Sequence, residues 1–236
     1  MILSDKYKYL GICIPKTGST SLQSLFGPPY GDVVGAGPGE HHMDLTEALR
    51  RFPKAKNYFK FTFVRNPYDR IISFYHHFAH VRGTLLEPDS YRPAPRYHGY
   101  HDFLNRILDD KLWKDDIHFK PQYTFIDVDQ MDFIGRFENF ENDINHIFQM
   151  LNMPKYIQLP HDRKSNYTGK CDCPYPTRGF FDTKSANNMY KYFQNDFDLF
   201  GYDKSDWETS LYLSQMRSFL ASLPILGVYL GGYLSY

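Results

Sequence analysis

Tyr7-Lys8-Tyr9-Leu10-Gly11-Ile12-Cys13-Ile14-Pro15-Lys16-Thr17-Gly18-Ser19-Thr20-Ser21 is a mostly apolar run that stops at a proline and passes into a cluster of small, hydroxylated residues. Residues 7–14 read as a largely buried strand that Pro15 ends. The small residues after it let the backbone turn sharply, so that successive N–H groups can face an anion. A helix starting there adds the partial positive charge of its N-terminus, and Lys16 adds a full one. Thr20 and Ser21 add hydroxyl donors. An ordinary capped turn would use the same residue types, because Ser, Thr and Gly gather at helix starts, and the loop alone leaves both readings open. It is not a Walker A loop, which needs G-x-x-x-x-G-K-S/T with the lysine after the second glycine. Here Lys16 precedes Gly18, which counts against an ATP or GTP hydrolase.

A second strand-to-helix junction lies at Phe63-Val64-Arg65-Asn66-Pro67-Tyr68-Asp69-Arg70-Ile71-Ile72-Ser73-Phe74-Tyr75. Residues 58–64 read as a strong strand, and Asn66-Pro67 opens a helix, with Asn as cap and Pro at the first helical position. Arg65 falls at the carboxyl edge of the sheet, where ligands of open α/β sheets bind. Ser73 comes two helical turns after the cap and returns to the same face. The pair could grip one phosphate, the guanidinium forking onto two oxygens. The plainer reading is an ion-paired arginine at a strand end and a serine bonded to its own helix.

The rest of the chain alternates in the same way. Residues 27–39 are loop with a short strand at 32–34. Residues 44–51 suit a short helix, with Asp44 as N-cap and Glu47 completing a capping box. The helix after Asn66 is expected to run to about residue 80, followed by an irregular insertion over 83–98. Short strands are expected at 123–126 and 132–137, helices at 139–151 and 183–195, and a loop-rich stretch over 155–180. Strand and helix alternation implies an α/β sandwich with a mainly parallel sheet.

Composition bounds the possibilities. The 236 residues suit one sizeable domain, and 42% hydrophobic with 23% charged residues is ordinary for a globular protein. Lys and Arg together number 27 and so do Asp and Glu, which argues against wholesale nucleic-acid binding. Cys13 lies in an apolar run, and Cys171 and Cys173 lack a second ligand pair at zinc spacing. Residues 1–8 read as short and polar, without a signal peptide or N-terminal anchor. Residues 219–236 hold no charge and as a helix would span roughly 27 Å, close to the hydrocarbon thickness. Pro224, Gly227, Gly231 and Gly232 weaken such a helix without forbidding one in a membrane. The tail therefore either contacts a membrane or packs outside one, and location stays open between cytoplasm and membrane surface.

Together the two junctions resemble the PAPS-dependent sulfotransferase superfamily, and most of all its Golgi-type carbohydrate (family 2-like) branch. Pro15-Lys16-Thr17-Gly18-Ser19-Thr20-Ser21 is similar to the family's loop for the 5′-phosphosulfate, and Arg65 through Ser73 to its element for the 3′-phosphate. Phe133-Ile134-Gly135-Arg136-Phe137-Glu138-Asn139-Phe140-Glu141-Asn142-Asp143 and Asp196-Phe197-Asp198-Leu199-Phe200-Gly201-Tyr202 are further echoes, so the resemblance covers about residues 7–203. It implies a P-loop-like three-layer sandwich, a sulfotransferase domain over 1–205 and an apolar tail over 206–236. It further implies PAPS as sulfuryl donor, held by Lys16, Thr17, Gly18, Ser19, Thr20, Ser21, Arg65 and Ser73, with Lys16 on the bridging oxygen and no metal required. The uronyl-type members carry a base histidine in the loop upstream of the arginine strand. His42 fits that pattern better than His41, with Glu40 next in line. The acceptor would be a hydroxyl, on a carbohydrate in this branch. Acceptor contacts are sought among Arg82, Tyr91, Arg92, Arg96, Tyr97, His98 and Tyr100, and among His161, Arg163, Lys164 and Asn166, with Arg178 a further candidate for the donor phosphate. Branch members commonly carry an N-terminal membrane anchor, which is not seen here. A small-molecule kinase and a catalytically silent nucleotide-binding, membrane-associated module remain the alternative functions.

Overall fold

The computed structural model describes residues 1–28, 30–34, 41–77, 100–109, 116–154 and 181–208. Five strands form one sheet: β1 (Ile2–Ser4), β2 (Tyr9–Ile12), β3 (Val33–Val34), β4 (Phe59–Val64) and β5 (Phe133–Arg136), in the order β3-β1-β2-β4-β5. β2, β4 and β5 are parallel, with Gly11 opposite Phe61 and Phe63 opposite Gly135. β1 runs antiparallel to both β2 and β3. β1 alone is reversed, and the sheet is mainly parallel in direction.

The N-terminal residues correct the sequence reading. Residues 1–8 are not a polar lead-in: Met1, Ile2, Leu3 and Ser4 are buried, and Ile2 pairs with Gly11 across a hairpin. Four apolar-to-neutral residues are too short for periodicity to register, and only pairing with β2 makes them a strand. Lys8 closes the hairpin at φ 57.

Helices cover both faces. α1 (Ser19–Phe26) and a later helix, Phe140–Met150, bury Leu22, Leu25, Phe26, Ile144, Ile147 and Phe148 against Tyr9, Phe61 and Phe63. On the other face α2 (Leu45–Arg51) packs Leu45 and Ala48 against Leu10, Ile12 and Val64. Alternate residues of β2 and β4 thus face opposite layers, as the period-2 geometry of a strand requires. A third, all-helical cluster joins α3 (Pro67–His76), α4 (Tyr100–Arg106) and the helix Thr183–Tyr192 through Tyr68, Phe74, Phe103, Met189 and Phe193. In chain order Phe140–Met150 is α5, Thr183–Tyr192 is α6 and Gln194–Phe200 is α7. The result is the α/β three-layer sandwich expected.

Several local expectations shift. The α-helical part of α3 runs to His76 and His77 keeps helical backbone angles, while the last part of the expected helix, residues 78–80, lies outside the described residues. The stretch expected as a strand at 123–126 is a 3₁₀ turn, Gln122–Phe125, because the buried Asp196 carboxylate takes the N–H groups of Gln122 and Tyr123 at 2.8 and 2.9 Å. The helix expected over 183–195 splits at Phe193 into α6 and α7. Only half of the capping box at α2 forms. Asp44 accepts from the Glu47 N–H at 2.8 Å, but the Glu47 carboxylate turns to Arg50 and Arg51. A complete box stands at α6 instead, between Asp182 and Ser185. Among the described residues no helix is long and apolar enough to cross a membrane. The insertion 83–98, the stretch 155–180 and the tail 219–236 lie outside the described residues, and with them Glu40, Cys171, Cys173 and the acceptor candidates named above, except Tyr100, whose backbone begins α4.

Two strand glycines make room for the aromatic layer under the sheet. A Cβ on Gly135 would stand 2.6 Å from the Phe63 ring, and one on Gly11 would meet Phe61 at 2.9 Å. Phe63 in turn packs on Phe140 with ring centroids 4.8 Å apart. Gly135→Ala is therefore expected to destabilise the fold by about 1–3 kcal/mol, the usual range for overpacking a core. Urea unfolding would read this as a lower midpoint at unchanged slope.

Candidate functional site

The loop after β2 is held in an unusual backbone shape. Lys16 and Gly18 both have positive φ, at 69° and 88°. A left-handed residue beside right-handed neighbours is the pattern that gathers N–H groups into an anion-binding concavity. For a non-glycine such as Lys16 it costs roughly 1–2 kcal/mol. Contacts on either side hold it there. The Thr17 hydroxyl, fully buried, donates to the Ile14 carbonyl at 3.0 Å, and Arg65 Nη1 donates to the Lys16 carbonyl at 3.4 Å. Thr17 can therefore offer a ligand only its backbone N–H. Gly18 is the N-cap of α1 and supplies no side-chain cap, and the first turn carries no acidic residue. The leading N–H groups of α1 and its dipole are thus left for an external anion. Ser19 and Ser21 are half-buried in that first turn, and Thr20 is exposed.

Gly18 also permits a close approach. A Cβ there would meet the Phe140 ring at 2.9 Å and the Phe137 ring at 3.2 Å. The same Phe137 ring carries the Arg65 guanidinium on its face, 4.2 Å from the centroid. One aromatic side chain from the 3₁₀ turn Phe137–Asn139 after β5 thus joins the two strand-to-helix junctions. Arg65 itself is half-buried with donors unused: Nε is buried without a partner, and no carboxylate pairs with the guanidinium among the described residues. Among the described residues, the ion pair of the plainer reading is not formed. Ser73 lies in α3, partly exposed, and the structure assigns its hydroxyl no hydrogen bond among the described residues. An anionic ligand fits these groups.

His42 lies in the turn before α2, half-buried against the chain that leaves β2. Its Nδ1 is 2.7 Å from the Cys13 carbonyl. A carbonyl only accepts, so Nδ1 carries the proton and Nε2 presents a lone pair. Burial pushes the imidazole pKa down to about 4, opposed by the Cys13 bond and aided by the neighbouring His118, whose ring stands edge-on at 5.2 Å. His42 lines a cleft of about 300 Å³ with Asp44, Ile117, Lys120, Thr124 and Phe125. His41 differs. It is exposed, and its Nδ1 accepts from the Gln23 amide at 2.7 Å, so the neutral ring has no second basic nitrogen to offer.

Three residues here escape a reading of the sequence. Arg70 is buried and donates to the carbonyls of Pro15, His118 and Lys120 at 3.0, 3.1 and 2.8 Å. It ties the phosphate loop to the wall of the cleft. Its one sequence signal is its place, next to Asp69, between the apolar residues Tyr68 and Ile71. Gln122 pairs with the backbone of Arg65, and His118 bonds Asp116 at 2.9 Å beside His42. Neither carries a local signal.

The class that fold and site define is that of an α/β protein with N–H and guanidinium donors gathered at the carboxyl edge of a parallel sheet, where ligands of such sheets bind. The chain belongs to the sulfotransferase family, whose model matches residues 1–203. It is similar to carbohydrate sulfotransferase 12 of Mus musculus, 24% identical over 87% of this chain and 60% of that protein. It is also similar to carbohydrate sulfotransferase 14 of Homo sapiens, 24% identical over 68% of this chain and 48% of the relative. Carbohydrate sulfotransferase 9 of Homo sapiens is 24% identical over 70% and 44%. The chain thus spans roughly half to three fifths of the length of these relatives. No solved structure gives a significant match.

The depressed pKa of His42 has a measurable consequence. Between about pH 6.5 and pH 4 the unfolded chain binds a proton at this residue that the folded chain refuses. Its contribution to stability is complete above pH 6.5 and is lost as pH falls, by at most about 1.4 kcal/mol per pH unit. Urea unfolding at pH 7.5, 6 and 5 should show this slope, and His42→Gln should flatten it.

Proposed function

We propose that this protein transfers the sulfuryl group of PAPS to a hydroxyl of a carbohydrate. The observation that carries the reading is the Arg65 guanidinium, laid on Phe137 with donors unused, beside the uncapped start of α1. Arg65 and Ser73 would take the 3′-phosphate, the feature that separates PAPS from ordinary adenine nucleotides. The backbone N–H groups from Lys16 to Ser21, with the hydroxyls of Ser19, Thr20 and Ser21, would hold the 5′-phosphate. The carbohydrate acceptor is suggested by the names of the relatives. Residues 1–205 form the transferring domain in this proposal, and the apolar stretch within 206–236 takes no part in it.

The chemistry is one of alignment and charge. The acceptor oxygen attacks sulfur in line with the bond to the bridging oxygen, which leaves with the nucleotide as adenosine 3′,5′-bisphosphate. Lys16 stabilises the charge that grows on that oxygen. The acceptor proton passes to Nε2 of His42, which the Cys13 carbonyl orients by holding Nδ1–H. A base with a pKa near 4 is weak in the free protein, but an anionic donor bound nearby favours the imidazolium and lifts it toward neutrality.

Calorimetric titration with adenosine 3′,5′-bisphosphate is expected to give micromolar binding, weakened at least about tenfold by Arg65→Ala, as for loss of a charged hydrogen-bond partner. With sulfur-labelled PAPS and glycan acceptors, His42→Ala should keep the nucleotide affinity and lose transfer. Well-folded wild type that binds no bisphosphate would overturn the proposal.

A further inference from the structure

The last register pair of β4 is Val64 with Arg136, so Arg65 lies just beyond the ladder that β5 supplies. Its main-chain groups are nevertheless satisfied. The Arg65 N–H donates to Gln122 Oε1 at 2.9 Å, and Gln122 Nε2 donates to the Arg65 carbonyl at 2.8 Å. One side-chain amide thus does what an added strand residue would do, closing both backbone bonds of a single residue. Gln122 is itself fully buried. Its main-chain N–H donates to Asp196 Oδ2 at 2.8 Å, and Nε2 points a second hydrogen at the same oxygen at 3.5 Å. With both amide hydrogens and the oxygen engaged, the amide has one orientation that satisfies its neighbours.

The support continues at the following residue. The next residue, Asn66, donates its N–H to Glu138 Oε1 at 2.7 Å and its side-chain amide to Asp206 Oδ2 at 2.8 Å. The main chain around Arg65 is therefore fixed by polar side chains from remote segments, while the guanidinium makes one long bond among the described residues. Apolar contacts could end a strand without burying an amide and a carboxylate, a substitution that is often neutral or stabilising. Hydrogen bonds add what apolar contacts lack, a single defined position and direction.

We infer that Gln122 is a positioning residue for recognition of the 3′-phosphate, acting by clamping the backbone of Arg65 so that the guanidinium meets the phosphate with its two donors aligned. This rests on the donor reading above and goes beyond it, since Gln122 touches no part of the donor in that reading. Removing the clamp leaves the fold's apolar core in place and lets the start of the Arg65 side chain drift. A small misplacement of a charged partner is enough to cost about tenfold or more.

The test compares adenosine 3′,5′-bisphosphate with adenosine 5′-monophosphate by calorimetry on the full chain, for wild type, Arg65→Ala, Gln122→Met and Gln122→Asn. Gln122→Met removes both bonds at similar volume, and Gln122→Asn keeps an amide but withdraws it by one methylene. Thermal melts establish which variants fold. The expected result is a bisphosphate-to-monophosphate affinity ratio reduced about tenfold in the folded Gln122 variants, with the monophosphate affinity changed less than about threefold. In the Arg65→Ala background Gln122→Met should change the ratio no further. A merely structural role would lower both affinities or the melting temperature and leave the ratio alone, and that result overturns the inference. So does failure of both Gln122 variants to fold. If wild type shows no preference for the bisphosphate, the donor reading itself fails. If the preference exists, depends on Arg65 and survives loss of Gln122, only the positioning role fails.

Discussion

A single buried guanidinium holds the working parts of this protein together. Arg70 leaves the first turns of α3 and donates to three main-chain carbonyls, those of Pro15, His118 and Lys120. Burial lowers its pKa to about 10, with the charge of Asp196 opposing the fall, and the side chain stays charged at neutral pH. Asp196 answers from the other side, its pKa raised by burial against the pull of Arg70 and of the Gln122 and Tyr123 N–H groups. A cation so placed is costly to leave without acceptors. The loop before Lys16 and the segment walling the His42 cleft must therefore come together around it, whatever ligand later binds there.

Aromatic packing sets the remaining distances. Phe137 and Phe140 approach Gly18 so closely that no side chain fits at that position, and Phe137 supports Arg65 from below. Phe63 packs at a tilt on Phe140, in the space that Gly135 leaves. The segment after β5 thus touches both the loop after β2 and Arg65 at the end of β4. Much of the aromatic content serves this rigid layer, with Phe26 touching both Phe61 and Phe148 at centroid distances of 4.9 and 5.0 Å.

The signals that were legible beforehand were local ones. Asn66-Pro67 opens α3, and the Asn66 side chain takes the Tyr68 N–H at 3.0 Å. Asp44 caps α2, and the apolar runs ending at Ile12 and Val64 are strands. Two misreadings arose where a distant partner decided, and one where near neighbours competed for a side chain. β1 exists because β2 lies beside it, and residues 123–126 turn because Asp196 reaches their N–H groups. The complete capping box fell at Asp182 rather than Asp44, because Arg50 and Arg51 claim Glu47.

By itself the sequence determined the strand-loop-helix junctions, the glycine that admits a left-handed turn at position 18, and the residue types able to meet phosphate. Those depend on neighbours within a turn or two of chain, where steric and capping rules act. Tertiary structure decided which side chains are left to meet a ligand. Arg65 keeps donors open because Gln122 satisfies its backbone and, among the described residues, no carboxylate pairs with it. His42 rather than His41 presents a lone pair because Cys13, 29 positions earlier, holds the other nitrogen. Hydrogen bonds between groups remote in sequence set both outcomes, and one strand of text carries no record of which donor will find which acceptor.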